Sequence, residues 1–265
     1  MGQVSSNGAT SERVADVKAA DQPVALAFDG IGLVYPDGTE ALTNIDLQVA
    51  PGELVSVVGS SGCGKSTLLR IASGLLRPTS GAVRHEADEL GYVFQDSTLL
   101  PWRTVAANVG LLAELRGIDK RRRKDLVERS IARVGLNGFE SNYPHTLSGG
   151  MKMRVSLARA LTLQPDCFLF DEPFGALDEL TRERLHEELL GLLESQRFAG
   201  LFVTHSVPEA VFLSSRVVVM TPRPGRIACD IPVEFGYPRR PELRFDAAFS
   251  RTARAVSEAL RDLTG

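Results

Sequence analysis

Gly59-Ser60-Ser61-Gly62-Cys63-Gly64-Lys65-Ser66-Thr67 decides how this chain folds. Gly59, Gly64, Lys65 and Ser66 stand at the spacing of a phosphate-binding loop. Glycines let the backbone wrap phosphate oxygens with N–H groups, and a following helix aims the positive end of its dipole at them. Lys65 adds a point charge, and the Ser66 hydroxyl offers the oxygen that Mg²⁺ prefers. An ordinary Gly-rich turn needs no particular flanks. Here Leu54 to Val58 is a short apolar run, as in a strand covered on both faces. Lys65 to Leu76 suits a helix, closed before Pro78.

Outward from the loop, the early stretches Ala25 to Val34 and Thr43 to Val49 read as strands joined by a Pro36-Asp37-Gly38 turn. Leu90 to Phe94 is another strand. The pattern then turns helical over Thr104 to Leu115, Arg121 to Val134 and Ser148 to Leu163. Strands return at Cys167 to Phe170 and Gly200 to Val203, with Leu177 to Leu193 helical between them, and strands near Val217 and Ile227 follow. The expectation is an α/β core with an inserted helical subdomain at about residues 97–165 and a C-terminal helical extension over 241–265, its helix running from about Glu242 to Leu260. Residues 1–22 are polar and Ala/Ser-rich, without periodicity, and read as a disordered tail with no signal-peptide core.

Composition narrows the function classes. Of 265 residues, 43% are apolar, enough for a sizeable core, and the net charge is −3. That balance argues against a sequence-independent nucleic-acid binder. Cys63, Cys167 and Cys229 are few, odd in number and widely spaced, unlike a disulfide framework or a zinc site, and fit a reducing cytosol. No apolar run approaches the roughly 18 residues of a membrane span. A membrane role would therefore come through a partner. The basic run Lys120-Arg121-Arg122-Arg123-Lys124 is either a solvated helix start or a contact for anionic lipid headgroups.

Cys167-Phe168-Leu169-Phe170-Asp171-Glu172 is an apolar strand that ends in two acids. In phosphate-loop folds an acid at such a strand end holds Mg²⁺, a role that falls to Asp171. Glu172, one residue on, can polarise a water as general base. Two acids after a strand are more often a plain turn, and it is the phosphate loop that gives this pair its meaning.

Leu147-Ser148-Gly149-Gly150-Met151 precedes a helix that Ser148 can cap, and its glycines allow an anion close to the backbone. This segment resembles the signature motif of ABC ATPases, which combine it with the two motifs above in this order. Other family elements match. Tyr35 resembles the aromatic that stacks on adenine, Gln95 the Q-loop glutamine that touches the metal and the reacting water, Phe174 to Asp178 the D-loop, and His205 the switch histidine. The resemblance covers about residues 24–230 and implies an ABC ATP-binding domain over 23–240: a P-loop NTPase core with an antiparallel β subdomain beside the helical one. It implies that ATP and Mg²⁺ bind between two copies paired head to tail, the residue 59–67 loop of one facing Ser148, Gly149, Gly150 and Asp178 of the other. It also implies integral membrane permease subunits as partners, an external solute-binding protein acting indirectly, and a peripheral place on the cytoplasmic face of the cell membrane.

A narrower resemblance is to the nitrate, sulfonate and taurine importers. It rests on Asp96 to Val105 with Asn108, on the LSGGM segment and on Thr221-Pro222-Arg223-Pro224-Gly225-Arg226-Ile227. Trp102, in the Leu-Pro-Trp segment, is either an exposed anchor for a partner helix or a core residue. Ser206 and Met153 depart from the family pattern, where Asp and a polar residue are common. A non-transport ABC ATPase would carry long coiled-coil insertions or two ATPase domains, and a simple P-loop kinase or GTPase would lack LSGGM. Cys63, inside the loop, is expected open to solvent and more reactive than Cys167.

Overall fold

A computed structural model describes residues 23–86 and 89–263. The tail expected over residues 1–22 lies outside them. Strands β1 (Leu26–Val34) and β2 (Glu40–Val49) pair antiparallel across the Pro36-Asp37-Gly38 turn, where Asp37 Oδ1 accepts from the Thr39 N–H at 2.9 Å. Next come β3 (Leu54–Val58), α1 (Lys65–Ala72) and β4 (Ser80–His85), which returns to the other edge of β1. After β5 (Leu90–Val93) the chain runs through α2 (Val105–Val109), α3 (Leu111–Leu115), α4 (Lys120–Arg133) and α5 (Gly149–Leu161). It re-enters the sheet as β6 (Cys167–Asp171), then α6 (Glu179–Gln196), β7 (Ala199–Val203), α7 (Val207–Leu213), β8 (Arg216–Met220) and β9 (Ile227–Pro232), and closes with α8 (Ala247–Asp262).

The fold is α/β with two sheets. One is antiparallel, in the order β2-β1-β4; the other runs β5-β6-β7-β3-β8-β9. Five strands of the larger sheet, β5, β6, β7, β3 and β8, run parallel, and β9 turns back. Every residue of β3, β6 and β7 is buried, which is why they read as unbroken apolar runs. Their alternate side chains serve two cores. Val55, Val57, Leu169, Leu201 and Val203 pack with α1 and the antiparallel sheet. Leu54, Val58, Phe168, Phe170 and Phe202 pack with α5, α6 and α7 on the other face. The strand C-termini β3, β6 and β7 therefore open together at one edge, the place where parallel α/β sheets carry their ligand sites.

The helix limits differ most from the sequence reading at three places. α1 stops at Ala72 rather than Leu76, because Gly74 takes a left-handed φ of 73° and returns its N–H to Ile71 O. The helix expected over 104–115 is two short helices that meet at Gly110, where Val127 of α4 packs against the chain. The last helix begins at Ala247, capped by Asp246; residues 241–245 form a tighter 3₁₀ turn instead. The basic run opens α4, capped by Asp119, with Lys120, Arg121, Arg122 and Lys124 exposed.

Candidate active site

The loop from Gly59 to Gly64 joins the end of β3 to the start of α1. Gly64 has φ 105°, a conformation that side chains rarely adopt, so the chain turns there directly into the helix. The Lys65 ammonium curls back over the loop and donates to Gly59 O at 2.9 Å and Ser60 O at 3.1 Å. The loop is pinned from outside as well. Arg223 donates to Gly62 O at 3.2 Å. Gly225 exchanges backbone bonds with Ala41 and Thr43 of β2. A Cβ on Gly225 would stand 2.1 Å from Cys63 O, so only glycine lets this turn approach so closely.

Two pairs complete the cleft. Ser66 Oγ donates to Asp171 Oδ1 at 2.8 Å, and the Tyr92 hydroxyl donates to Asp171 Oδ2 at 3.3 Å. Burial, reinforced by the Asp171 charge, pushes the Tyr92 phenol well above its usual range and keeps it a donor. At the rim, His205 Nδ1 lies 3.0 Å from Glu172 Oε2. A carboxylate only accepts, so Nδ1 carries the hydrogen. Glu172 holds a left-handed φ of 45°, which costs a non-glycine residue about 1–3 kcal/mol and marks a constrained position.

Ten of the candidate residues line one cleft of about 440 Å³: Tyr35, Ser61, Gly62, Gly64, Lys65, Ser66, Thr67, Gln95, Glu172 and His205. Tyr35 is tied to Thr67 through their hydroxyls at 3.2 Å. Ala41 and Arg223 complete the wall. Neither was singled out as a site residue, although Arg223 belongs to the Thr221–Ile227 motif; Tyr92 was missed too, because only the β5–β6 pairing brings it to Asp171.

Other candidates fall elsewhere. Ser148 caps α5 by accepting from the Met151 N–H at 3.3 Å, and Asp178 caps α6 by accepting from the Thr181 N–H at 3.0 Å. Ser148, Gly149, Gly150 and Asp178 are not among the residues that line the cleft. The expectation that Cys63 is open to solvent is corrected. Its side chain is 1% exposed, turned beneath the loop into the space beside Gly59 and Met220, with Sγ 3.9 Å from Lys65 Nζ. The two departures have local uses. Ser206 caps α7, and Met153 is buried in the core of the helical layer. Trp102 is 71% exposed, which removes the core reading.

The ABC transporter family model matches residues 42–175, just over half of the chain. The chain belongs to the ABC transporter family. It is an ATPase of that family, with the fold of its nucleotide-binding cassettes. An uncharacterised ABC transporter ATP-binding protein of Methanocaldococcus jannaschii is 46% identical over 95% of this chain and 97% of its own length. The nitrate import ATP-binding protein NrtC of Synechococcus elongatus is 42% identical over 82% of this chain and 35% of its own. The taurine import ATP-binding protein TauB of Yersinia pestis is 42% identical over 80% of this chain and 85% of its own. Among solved structures of the family, the dimeric post-hydrolysis state of the ATP-binding cassette MJ0796 bound to ADP and Pi superposes with a TM-score of 0.70 at 29% identity, over 80% of this chain and all of that one. The likeness to the nitrate, sulfonate and taurine importer group thus stands on whole-domain relatives as well as motifs.

Proposed function

We propose that this chain is the ATP-binding and ATP-hydrolysing subunit that powers solute import through a membrane ABC transporter, the solute being nitrate, sulfonate, taurine or a related small solute. The observation that carries the reading is the Glu172–His205 pair at the rim of a cleft lined by Lys65 and Ser66, with Asp171 bonded to Ser66 Oγ behind it. In this reading residues 23–240 are the ATP-binding domain, with the helical subdomain at about 97–165 and the extension at 241–265.

The cleft suits a nucleoside triphosphate. The Tyr35 ring would stack on the base, Lys65 would leave the Gly59 and Ser60 carbonyls for the β and γ phosphates, and the backbone N–H groups of residues 59–67 would cradle their oxygens. Ser66, Gln95 and Asp171 fit Mg²⁺: Ser66 Oγ and Asp171 Oδ1 stand 2.8 Å apart, Gln95 lines the same cleft, and all three offer oxygen to a hard cation. When bound, that ion would neutralise phosphate charge. Glu172 accepts the proton of the attacking water, and His205, held by Glu172 through Nδ1, turns Nε2 toward the γ-phosphate side. Ser148, Gly149, Gly150 and Asp178 do not line the cleft of their own chain; Ser148 and Gly149 are exposed, Asp178 is partly exposed, and Gly150 is buried against Thr181. They would close the cleft of a second, head-to-tail copy, the N-terminus of α5 attracting the γ-phosphate. Hydrolysis removes that attraction, and the opening and closing of the pair move the permease.

Among the described residues no helix is long and apolar enough to cross a membrane. In this reading integral permease subunits provide the passage, with this chain peripheral on the cytoplasmic face and an external solute-binding protein acting at a distance. ATPase rate against protein concentration tests the paired site: a square-law rise supports it, and a strictly linear rise rejects it. Copurifying the permease and the binding protein, then titrating nitrate, taurine and alkanesulfonates on the latter, tests the solute.

A further inference from the structure

We infer that His186, on α6 and outside the cleft, is a positioning residue for ATP hydrolysis, acting through Glu209 and Thr204 on the backbone that carries His205. The inference rests on the roles proposed above for Glu172 and His205. His186, Glu209 and Thr204 are 4%, 5% and 1% exposed, so this is a buried polar cluster inside an apolar layer. Its hydrogen bonds have a fixed direction. Arg244, from the segment before α8, donates from Nη2 to His186 Nδ1 at 3.0 Å. A guanidinium only donates, so Nδ1 accepts, and the ring proton sits on Nε2. Nε2 then donates to Glu209 Oε1 at 2.7 Å. The Thr204 hydroxyl donates to Glu209 Oε2 and accepts from the Ser206 N–H at 3.0 Å. Both neighbours of His205 are thereby tied to Glu209, Thr204 directly to its carboxylate and Ser206 through the Thr204 hydroxyl, and the Glu209 backbone N–H donates to Ser206 Oγ at 3.4 Å.

The same imidazole supports the other partner of the rim pair. Its ring meets the edge of Phe174 at 5.3 Å between centroids, and Phe174 follows Glu172 by two residues. Arg244 in turn lies over the Phe212 ring at 3.5 Å, which fixes its reach to His186. His186 thus sits beneath both loops that meet at the Glu172–His205 contact. A buried carboxylate satisfied only by a neutral ring and a hydroxyl is an expensive way to fill a core, since well-packed apolar residues commonly do as well or better. What the cluster supplies instead is orientation. His205 is 63% exposed on its side chain and has little packing of its own to hold it.

The test is steady-state ATPase kinetics on the full chain with three variants, each also melted and titrated with a fluorescent ATP analogue. His186→Leu is expected to lower kcat about tenfold or more, with KM and analogue affinity within about twofold. His186→Gln is expected to recover kcat to within about threefold, because its amide donates to Glu209 while its carbonyl accepts from Arg244. Thr204→Val keeps the shape, removes the hydroxyl, and is expected to lower kcat without moving KM; it decides the matter if His186→Leu fails to fold. Unchanged kcat in the folded leucine variant or in Thr204→Val, or a glutamine variant as slow as the leucine one, overturns the inference. Glu172→Gln run alongside separates the two levels. If it turns over at the wild-type rate, the assignment of the cleft fails; if it is dead while His186→Leu is fully active, only the positioning role fails.

Discussion

Glu172 and His205 lie 33 residues apart in sequence and meet through a 3.0 Å contact between Oε2 and Nδ1 at the rim of the cleft. The pair joins the end of β6 to the end of β7, neighbouring parallel strands whose last paired residues are Asp171 and Val203. Sheet register, and not loop conformation alone, sets the distance between them. The Glu172 N–H, bonded to Val203 O at 2.9 Å, fixes it further.

Glu172→Gln should bind ATP and fail to turn it over. The amide keeps the shape of the side chain but cannot take a proton, so a fall of about 10²–10⁴-fold is expected. With binding intact and the exit blocked, sizing in Mg-ATP should show a dimer. Wild-type turnover in this variant would reject Glu172 as the base.

His205→Ala should lose most turnover with little change in ATP affinity, because an exposed ring at the rim contributes to orientation more than to binding. Nucleotide titration alongside kcat measures both. An equal loss of affinity would assign His205 to binding.

Trp102→Ala should leave the melting temperature of the isolated chain within about 2 °C, given an indole that is already 71% exposed. Assembly with the permease should weaken by about 2 kcal/mol or more, as for large anchors at interfaces. Asn108→Ala should do the reverse. This buried side chain accepts from the Leu100 N–H at 2.7 Å and reaches the carbonyls of Leu100, Arg103 and Thr104. Its loss should cost about 1–3 kcal/mol by leaving those groups unpaired, read as a lower denaturant midpoint.

Alkylation of the native chain should reach Cys229 first, ahead of the buried Cys63 and Cys167. Burial, then the neighbouring Asp230, raises the Cys229 pKa, so its labelling should speed up as pH rises and its thiolate fraction grows. Burial pushes the Cys167 thiol up to about 12, so it should stay protected until the chain unfolds. Peptide mass spectrometry over a pH series gives the order. Rapid labelling at Cys63 in the absence of nucleotide would contradict the buried thiol.

Contiguous motifs made the loop and the two strand-end acids readable, because their chemistry needs particular residues at particular spacings. Gly59 to Thr67, Asp171 and Glu172 are of this kind. Of the residues that reach the cleft across the fold, Tyr35, Gln95 and His205 were reached through the family resemblance, and others were not readable. Tyr92 reaches Asp171 only through strand pairing, and Arg223 reaches Gly62 O only because the turn after β8 folds onto the loop. Cys63 was misjudged because position in a loop does not say which way a side chain turns. His186 belongs to no motif and sits mid-helix, where sequence pattern suggests only a core-facing residue. The helix limits at Gly74 and Gly110 were set by tertiary contacts and a left-handed residue that periodicity does not weigh.

The close seat of Gly225 against Cys63 O makes the phosphate cradle a finished shape before any nucleotide arrives. A glycine-rich loop left alone would wander, and binding would have to freeze it at the expense of affinity. Here the ordering is done when β2, the loop and the turn after β8 come together as the sheets form. Conformational entropy is therefore lost once, at folding, and each catalytic cycle begins from a preorganised receptor. Loosening the turn should then weaken nucleotide binding even though residue 225 does not line the cleft.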